Sequence, residues 1–283
     1  MRRPGYSLVA YLSSADYCVL SSAIHEERVT LTQQTKSPLK VALVLIGNEL
    51  LSGKIQDSNG YYASKRLRGL GVELTRISII PDQRPVIVRE VSKLKADVDY
   101  LITSGGVGPT HDDITLEAVA DACKTTTFLE PKLEGLIRRF FKDRTTAHHL
   151  KMAQIPVGST LIDVGENTWP VVRIDNVFIL PGVPEIFRAK FEAIASTFRS
   201  GKWFLRSVYL NVEEGMVATL LERLEDAFAV SVGSYPKWRN ADHKVRVTIE
   251  GRAVEPVNEA TAYLVEQIDA EQVVRVDEPV VED

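Results

Sequence analysis

The sequence predicts an α/β protein with a mostly parallel sheet in three layers, followed by a smaller α+β domain. Short apolar segments rich in β-branched residues recur from residue 39 onward, and a glycine or proline turn closes most of them. Segments with helical periodicity separate these runs, which is the pattern of strands joined by crossover helices. After residue 203 the order changes to strand, helix, strand, strand, helix, which is typical of an α+β arrangement.

The elements of the first domain follow from length and apolar period. A first strand over 39–46 ends at Gly47, and its continuous apolar character predicts burial on both faces. Glycines close the helix after it, and a turn at Asp175-Asn176 predicts a hairpin. The predicted strands are 39–46, 72–80, 98–103, 170–174 and 177–180, with a loop or short strand over 155–160. The predicted helices are 59–70, 86–95, one that opens within 104–113 and runs through Ala122, 131–141 and 186–198.

The same reasoning divides the chain into four parts. Residues 1–38 show no sustained period and predict an N-terminal extension. Residues 39–202 hold the α/β domain, residues 203–270 the α+β domain, and residues 271–283 an acidic tail. Within the α+β domain the predicted strands are 206–212, 230–234 and 244–251, and the predicted helices are 216–228 and 257–268.

Composition and charge exclude several classes of protein. Of the 283 residues, 45% are hydrophobic and 25% charged, which excludes a wholly disordered chain, a collagen-like chain and a coiled coil. The net charge of −4 lacks the basic excess of most nucleic-acid binders, so we expect no nucleic-acid partner. Since no apolar stretch approaches the length of a membrane span, we expect no membrane partner either.

Cysteine usage bears on the cell compartment. Cys18 and Cys123 are too few for a disulfide framework and are not in Cys-x-x-Cys spacing. We therefore expect a reducing compartment and no zinc site of that type. A cytoplasmic location is the expectation. Arg2, Arg3 and the serines that follow weakly resemble a transit peptide, which leaves a mitochondrial location as the alternative.

The strongest candidate site is the glycine-rich segment after the third strand. Its glycines let the backbone turn tightly with N–H groups facing outward, and with a helix N-terminus they form an anion pocket. The segment follows the carboxyl end of a strand, where open α/β sheets bind ligands. We predict a phosphate-binding site made by Ser104, Gly105, Gly106, Gly108 and Thr110.

Two aspartates, Asp112 and Asp113, follow in the same segment. Like charges in a phosphate pocket repel, and a divalent cation between them would remove the conflict. The alternative is structural, because Thr110-x-x-Asp113 matches a capping box, and capping is the favoured role of any one aspartate considered alone. The three glycines weigh against that alternative, since a cap does not require them.

Other carboxylates are predicted to reach the same edge of the sheet. Glu49 follows the first strand and Asp82 follows the second. Asp57 also lies in the segment after the first strand, although capping the next helix is its favoured role. Two nucleotide-binding motifs are excluded: the glycine spacing of residues 47–55 does not fit a Walker loop, and His111 stands where a dinucleotide fingerprint needs glycine.

Several of these segments together resemble a known family. Residues 47–59, 81–82 and 104–115 closely resemble the molybdopterin-binding (MoaB/Mog-like) domain, and within that superfamily the CinA family and the N-terminal FAD-hydrolase domain of eukaryotic FAD synthase. Residues 180–185 and 233–236 extend the resemblance and favour the FAD-synthase branch. The resemblance implies a MoaB/Mog-like α/β fold and a small KH-like second domain. The second domain lacks a Gly-x-x-Gly loop, so RNA binding by that route is not expected.

The resemblance also implies an activity and its cofactors. It implies a metal-dependent pyrophosphatase whose substrate is ADP-ribose in the CinA branch, and FAD, cleaved to FMN and AMP, in the FAD-synthase branch. The cofactor would be a divalent cation (cobalt, magnesium or manganese), together with potassium. The expected partner is a small-molecule nucleotide, with a homo-oligomer and a separate flavin adenylyltransferase as further candidates. No Gly-Gly-Lys-Asp-like motif is present, so FAD synthesis is not expected.

Two other functions stay open at this point. One is molybdopterin binding or adenylylation in molybdenum cofactor biosynthesis, and the other is a non-catalytic nucleotide-binding regulatory domain. The working hypothesis assigns catalysis to Asp113, Asp112, Asp82 and Glu49. It assigns the metal to Asp112, Asp113 and Asp57. Tyr235 and Trp238 would stack on a base, with packing between domains as their alternative role.

Overall fold

Two large β-sheets with helices packed on them, and a separate two-stranded ribbon, form the part of the chain that the computed structural model describes, residues 37–165, 168–239 and 241–282. The predicted N-terminal extension therefore lies almost entirely outside the described residues, as do Cys18 and the segment that resembles a transit peptide. No helix within the described ranges is long and apolar enough to cross a membrane.

The first sheet and its helices span residues 40–198. The strands are β1 (Lys40–Ile46), β2 (Glu73–Ile80), β3 (Tyr100–Ser104), β4 (Thr127–Leu129), β5 (Gln154–Pro156), β6 (Thr160–Ile162), β7 (Val171–Ile174) and β8 (Val177–Leu180). The helices are α1 (Asn48–Leu51), α2 (Asn59–Gly69), α3 (Arg84–Asp97), α4 (Thr115–Ala122), α5 (Pro131–Phe141), α6 (Ala147–Lys151) and α7 (Pro184–Ile194), with short 3-10 turns at Lys142–Arg144 and Ala195–Phe198.

The strand order β2-β1-β3-β8-β7-β6 confirms the mostly parallel sheet. Strands β2, β1, β3 and β8 run parallel to one another, while β7 and β6 are antiparallel additions at one side. Strands β7 and β8 form the predicted hairpin, with Ile174 paired to Val177 across the turn. Strands β4 and β5 pair separately as a small antiparallel ribbon.

The three-layer arrangement follows from the alternation of side chains along the strands. In β1, Ala42, Val44 and Ile46 face a core shared with α3, α4 and α5. The alternate residues of β1, 41, 43 and 45, face a second core shared with α2 and α7. Because successive side chains of a strand point to opposite faces, a continuous apolar run is buried on both sides only when helices cover both.

One predicted helix begins later than expected. Helix α4 starts at Thr115, and its N-terminal flanking residue is Ile114, so the preceding segment is a loop. Gly105 and Gly106 have φ values of +106° and +67°, in the left-handed region that a right-handed helix does not use. Thr110, Asp112 and Asp113 therefore precede the helix instead of forming its first turn.

The second sheet spans residues 203–282 and is antiparallel. Its strands are β9 (Trp203–Leu210), β10 (Ser231–Pro236), β11 (Val245–Gly251), β12 (Val273–Val276) and β13 (Val280–Glu282), and its helices are α8 (Glu214–Ala227) and α9 (Val254–Glu266), with a 3-10 turn at Ala270–Gln272. The order is β10-β11-β9-β12, and β13 also pairs with β9. A third apolar core lies between this sheet and its two helices. This confirms a small α+β domain.

The predicted acidic tail from residue 271 is wrong. Strands β12 and β13 pair with β9, Val276 opposite Val208 and Val280 opposite Leu205. Acidic residues separate two short runs of β-branched residues, so the sequence of this segment gives only a weak strand signal. A strand with an open edge favours pairing with any such run nearby.

Two arginines join the sheets around Trp203. The guanidinium carbon of Arg68 lies 3.9 Å from the centroid of the Trp203 ring, and that of Arg252 lies 4.6 Å from it. Arg252 also donates to the carbonyl oxygens of Gly71 (2.6 Å) and Ser200 (2.9 Å). The carboxylates of Glu250 and Glu282 accept from Arg68. This cluster holds the second sheet to the end of α2 and to the segment that precedes β9.

Candidate functional site

A cleft of about 610 Å³ opens at the carboxyl edge of the first sheet. The segments after β1, β3 and β8 line it, because parallel strands all end at the same edge. Residues just before β7 line it too, since β7 runs antiparallel to β8 and begins where β8 ends. Of the predicted site residues, the structure places these in the cleft lining: Glu49, Asp57, Asp82, Ser104, Gly105, Gly106, Gly108, Asp112 and Asp113.

The glycine loop has a backbone that only glycine fits at two positions. A Cβ atom at Gly105 would lie 2.2 Å from the carbonyl oxygen of Ile46, and one at Gly106 would lie 2.3 Å from Thr115 Oγ1. The loop is fastened from inside, because the Thr115 hydroxyl donates to the Gly105 carbonyl at 2.9 Å. The Gly105 N–H donates to the carbonyl of Leu180 at 3.1 Å. Gly105 therefore shapes the loop, and its N–H is already engaged within the protein.

Ser104 ties the loops together. Its buried hydroxyl donates to the carbonyl of Pro181 at 3.1 Å and accepts from the side-chain amide of Asn59 at 3.1 Å. The same Asn59 amide donates to the carbonyl of Gly182 at 2.8 Å, which connects the start of α2 to the end of β3 and to the segment after β8. Asn59 Oδ1 is buried without a donor among the described residues. Asn59 was not among the predicted site residues, although it lies in the segment 47–59 that carries part of the family resemblance.

Thr110 holds the two aspartates. Its hydroxyl contacts the carboxylates of both Asp112 and Asp113, and its backbone N–H donates to Asp113 Oδ2 at 2.8 Å. The hydrogen bond from Thr110 is the main cause of a lowered pKa of Asp112. Thr110 is exposed and does not line the cleft. The expected phosphate contact from Thr110 is therefore replaced by a bracing role, and the Thr110–Asp113 capping interaction closes a turn ahead of α4.

Asp57 caps helix α2, the role that the sequence favoured for it. Its carboxylate accepts from the backbone N–H of Asn59 at 2.9 Å and of Gly60 at 3.0 and 3.1 Å. These are N–H groups of the first turn of the helix, which have no partner within the helix itself. Asp57 also lines the cleft, but both of its oxygens are engaged in this cap.

Three carboxylates, Glu49, Asp82 and Asp112, form what we call the acidic group. Burial raises the pKa of Asp82, and the negative charges of Glu49 and Asp112 act in the same direction, against the hydrogen bond from Asn48 at 2.8 Å. Asp82 is therefore repelled by two neighbouring carboxylates at the cleft. Hard oxygen donors of this kind suit Mg²⁺, Mn²⁺ or Co²⁺, and a dication would relieve the repulsion. Within the described part of the chain, no three His, Cys, Asp or Glu side chains are already arranged to hold a metal ion.

A lysine that the sequence motifs did not indicate also lies at the cleft. Lys190 in α7 is only 6% exposed, and its ammonium donates to the carbonyls of Trp169 (2.7 Å) and Pro170 (2.8 Å). Burial lowers its pKa to about 8. The available signal was its spacing, since Lys190 falls three residues after Phe187 and four before Ile194, on the apolar stripe of the helix. The ammonium of a lysine on such a stripe is either buried or reaches solvent past its neighbours, and only the tertiary packing decides which.

Tyr235 and Trp238 are not at this cleft. Trp238 is 89% exposed, and the ring of Tyr235 lies 4.8 Å from the guanidinium carbon of Arg246 in the second sheet. Neither residue lines the cleft, so the prediction that they stack on a base bound there is wrong for one copy of the chain. The alternative of packing between domains does not describe Trp238 either, because its side chain faces solvent.

Comparison with protein families gives two adjacent matches. The family described as probable molybdopterin binding domain matches residues 42–199, and the family described as FAD synthase, middle domain, matches residues 202–277. The first match holds the sheet whose carboxyl edge forms the cleft. The second match holds the antiparallel sheet.

Individual relatives agree with these matches. A probable FAD synthase of Caenorhabditis briggsae is 32% identical over 244 residues, which are 76% of this chain and 46% of the relative. The chain thus spans about half the length of the FAD synthase relatives it matches. A protein of Archaeoglobus fulgidus is 32% identical over 78% of this chain and 95% of its own length. A crystallised CinA protein of unknown function from Thermoplasma acidophilum is 27% identical with a TM-score of 0.52, covering 56% of this chain and 98% of that one.

Proposed function

Because the chain belongs to the family of probable molybdopterin binding domains, and continues into a match to the FAD synthase middle domain, we propose that it is a metal-dependent nucleotide pyrophosphatase. The proposed substrate is FAD, cleaved to FMN and AMP, or a related nucleotide such as ADP-ribose. Support for FAD comes from the relatives named as FAD synthases, and support for the chemistry comes from the cleft.

One observation carries the proposal. The glycine loop and the acidic group line the same cleft, and its volume of about 610 Å³ is in the range of small-molecule sites. A diphosphate repels carboxylates unless a cation lies between them. A cleft lined both by a tight glycine turn and by Glu49, Asp82 and Asp112 therefore suits a ligand that brings both a diphosphate and a dication.

The proposal assigns cation binding, diphosphate contact and proton acceptance to different residues. Asp112 and Asp113, braced by Thr110, would hold the cation, which when bound supplies Lewis-acid polarisation of a phosphoryl oxygen and lowers the pKa of a water. Asp57 was also predicted as a ligand, but its cap to α2 competes with that role. The loop after Gly105 would contact the diphosphate. Asp82 or Glu49 would orient the attacking water and accept its proton. The water oxygen forms a bond to one phosphorus, and the bridging oxygen leaves with the other phosphate.

A second function, molybdopterin binding or adenylylation, is supported by the description of the first family match. A molybdopterin carries a phosphate on a fused ring, so the same cleft suits it chemically. The match of residues 202–277 to a part of FAD synthase favours the flavin nucleotide. The third candidate, a nucleotide-binding regulatory domain, would use the same contacts without turnover.

The test is incubation of the purified protein with FAD and with ADP-ribose, each with Co²⁺, Mg²⁺ or Mn²⁺, followed by chromatography of the products. We expect FMN and AMP from FAD in a reaction that a chelator stops. Tight binding of FAD without products would favour the regulatory domain instead. In a parallel incubation with ATP and molybdopterin, formation of adenylylated pterin would favour the molybdopterin function.

The acidic group supplies the sharper variant. Asp112→Asn keeps the size of the side chain and its contact to Thr110 but removes the charge, so turnover should fall about 100-fold or more. Trp238→Ala is the matched control, because this exposed aromatic residue lies away from the cleft, and turnover should stay within twofold. Normal turnover in Asp112→Asn would contradict the assigned role of the carboxylate.

A further inference from the structure

Part of the cleft lining takes no part in the proposed reaction, and we call it the apolar wall. It includes Leu116, Met152, Trp169, Val172, Ile179 and Ile186, which come from helices on both sides of the sheet, from β7 and β8, and from the segments next to them. Lys190 is its charged member, held beneath the surface by the carbonyls of Trp169 and Pro170. A cation at an apolar wall of a substrate cleft is an unusual combination, and neither feature belongs to the phosphate or metal chemistry described above.

Lys190 has a structural role, because it donates to two backbone carbonyls. That role leaves its charge unpaired, since no carboxylate of the described residues forms an ion pair with Lys190, and burial of an unpaired ammonium is costly. The cost shows in its lowered pKa. An apolar residue of similar length would avoid this cost but would leave both carbonyls without their donor. An acceptor on a bound molecule would give the ammonium a further partner.

The geometry also leaves Lys190 with capacity for one more partner. A lysine ammonium has three N–H donors, and two of them are directed to the carbonyls of Trp169 and Pro170. Within the described residues no third acceptor bonds to this nitrogen. Since Lys190 lines the cleft, the third donor is available to an acceptor on a bound molecule.

We propose that the wall around Trp169 and Lys190 binds the isoalloxazine ring of a flavin, with Lys190 donating to a carbonyl oxygen or acceptor nitrogen of that ring. This inference rests on the proposed function, because the ring enters as part of the flavin nucleotide. The apolar residues suit a flat ring system, and Trp169 is a partly exposed aromatic neighbour for it. A single free N–H suits one ring acceptor.

Two other occupants fit the wall less well. A phosphate group prefers several converging donors, and this wall offers one. Adenine has ring-nitrogen acceptors, but N1 and N7 lie beside its exocyclic amino group, whose donors meet a cationic donor unfavourably. The flavin ring has two carbonyl oxygens along one edge and no exocyclic amino group. Lys190 is accordingly assigned as a residue that selects for the flavin half of the substrate.

The test measures binding of two probes that each contain half of the features. Riboflavin carries the ring without phosphate, and ADP-ribose carries a diphosphate and adenine without the flavin. Dissociation constants for both are measured for the wild type, Lys190→Met and Lys95→Met with Ca²⁺ present, because the diphosphate of ADP-ribose needs a cation between it and the carboxylates. Lys95 is the control, since this lysine is also partly buried but donates to Asp175 and Cys123 away from the cleft.

We expect Lys190→Met to weaken riboflavin binding about tenfold or more, as for a lost hydrogen bond from a charged donor. Its affinity for ADP-ribose should stay within twofold, and Lys95→Met should change neither. An equal loss of affinity for ADP-ribose would assign Lys190 to the phosphate or adenine and overturn the proposal. Unchanged riboflavin binding in Lys190→Met, or no riboflavin binding by the wild type, would also overturn it.

A second variant covers the case in which Lys190→Met does not fold. Trp169→Leu keeps the backbone carbonyl that accepts from Lys190 but removes the aromatic surface, so riboflavin should bind about fivefold more weakly and ADP-ribose as in the wild type. The turnover assay with FAD is read separately. Hydrolysis of FAD with unchanged riboflavin binding in the variants overturns only the ring site. Riboflavin binding that depends on Lys190, without hydrolysis, overturns only the pyrophosphatase.

Discussion

The two sheets of this protein differ in the direction of their strands, and therefore in where the segments that follow the strands lie. In the first sheet β1, β3 and β8 are parallel, so the loops that follow them all leave at one edge and meet in one cleft. In the second sheet neighbouring strands are antiparallel, and successive loops leave at opposite edges. Tyr235 lies within β10 beside Arg246, and Trp238 is exposed just after it, while the glycines and acids of 104–113 line one cleft. Strand direction decides which polar loops can cooperate.

The largest effect that could break this comparison is expected at Gly105. Gly105→Ala places a side chain at a φ of +106° and 2.2 Å from a backbone oxygen, so the free energy of unfolding should fall by about 3 kcal/mol or more. Urea denaturation followed by circular dichroism measures this.

Gly215→Ala is the matched control in the second region. Gly215 lies in α8 with no atom near its would-be Cβ, and alanine there should raise the free energy of unfolding by about 0.5 kcal/mol. Similar losses at both glycines would show that the cleft loop is no more constrained than an ordinary helix.

A smaller effect concerns the buried cation that the first region holds. Lys190 has a pKa of about 8 in the folded protein against 10.5 ordinarily. Between these pH values the unfolded state binds more protons, so the free energy of unfolding rises with pH. Relative to Lys190→Met, the wild type should gain about 2 kcal/mol from pH 7.5 to pH 10. Denaturant titrations of both proteins at each pH measure the difference, and a difference that is flat with pH would show that Lys190 titrates as an exposed lysine.

The smallest effect tests how firmly the two regions are joined. Arg252→Met removes two hydrogen bonds to backbone carbonyls and one of the two guanidinium groups beside Trp203, so the free energy of unfolding should fall by about 1–2 kcal/mol. The exposed Arg223 of α8 is the control, and Arg223→Met should change stability by less than about 0.5 kcal/mol. Calorimetry measures both, and equal unfolding temperatures for the two variants would show that the Trp203 cluster does not stabilise the join.

Much of the fold was predictable because its signals are local. The apolar run of β1, the hairpin turn at Asp175-Asn176 and the exact bounds of α5 all depend on residues close in the chain. The short strands β12 and β13 were not predictable in this way. Their apolar runs are too brief to be distinguished from a tail, and only the open edge of β9 selects them as strands.

At the candidate site, the sequence predicted which residues come together better than it predicted what each of them does. Glu49, Asp82 and Asp112 were placed near one another on the argument that parallel strands end together, and the structure brings them to one cleft. Whether they hold a metal stays a prediction. The roles of Ser104 and Thr110 as braces could not be deduced, because a hydroxyl that binds a ligand and one that binds a neighbouring loop look alike in sequence.

The sequence by itself determined most of the helices and strands, which ends of strands carry acids and glycines, and the family to which the chain belongs, because periodicity, turn residues and motifs are properties of neighbouring positions. Tertiary structure decided which of these groups meet. The burial of Lys190, the exposure of Trp238 and the pairing of the last strands all result from packing between segments far apart in the chain, where free energy depends on what each group finds opposite it.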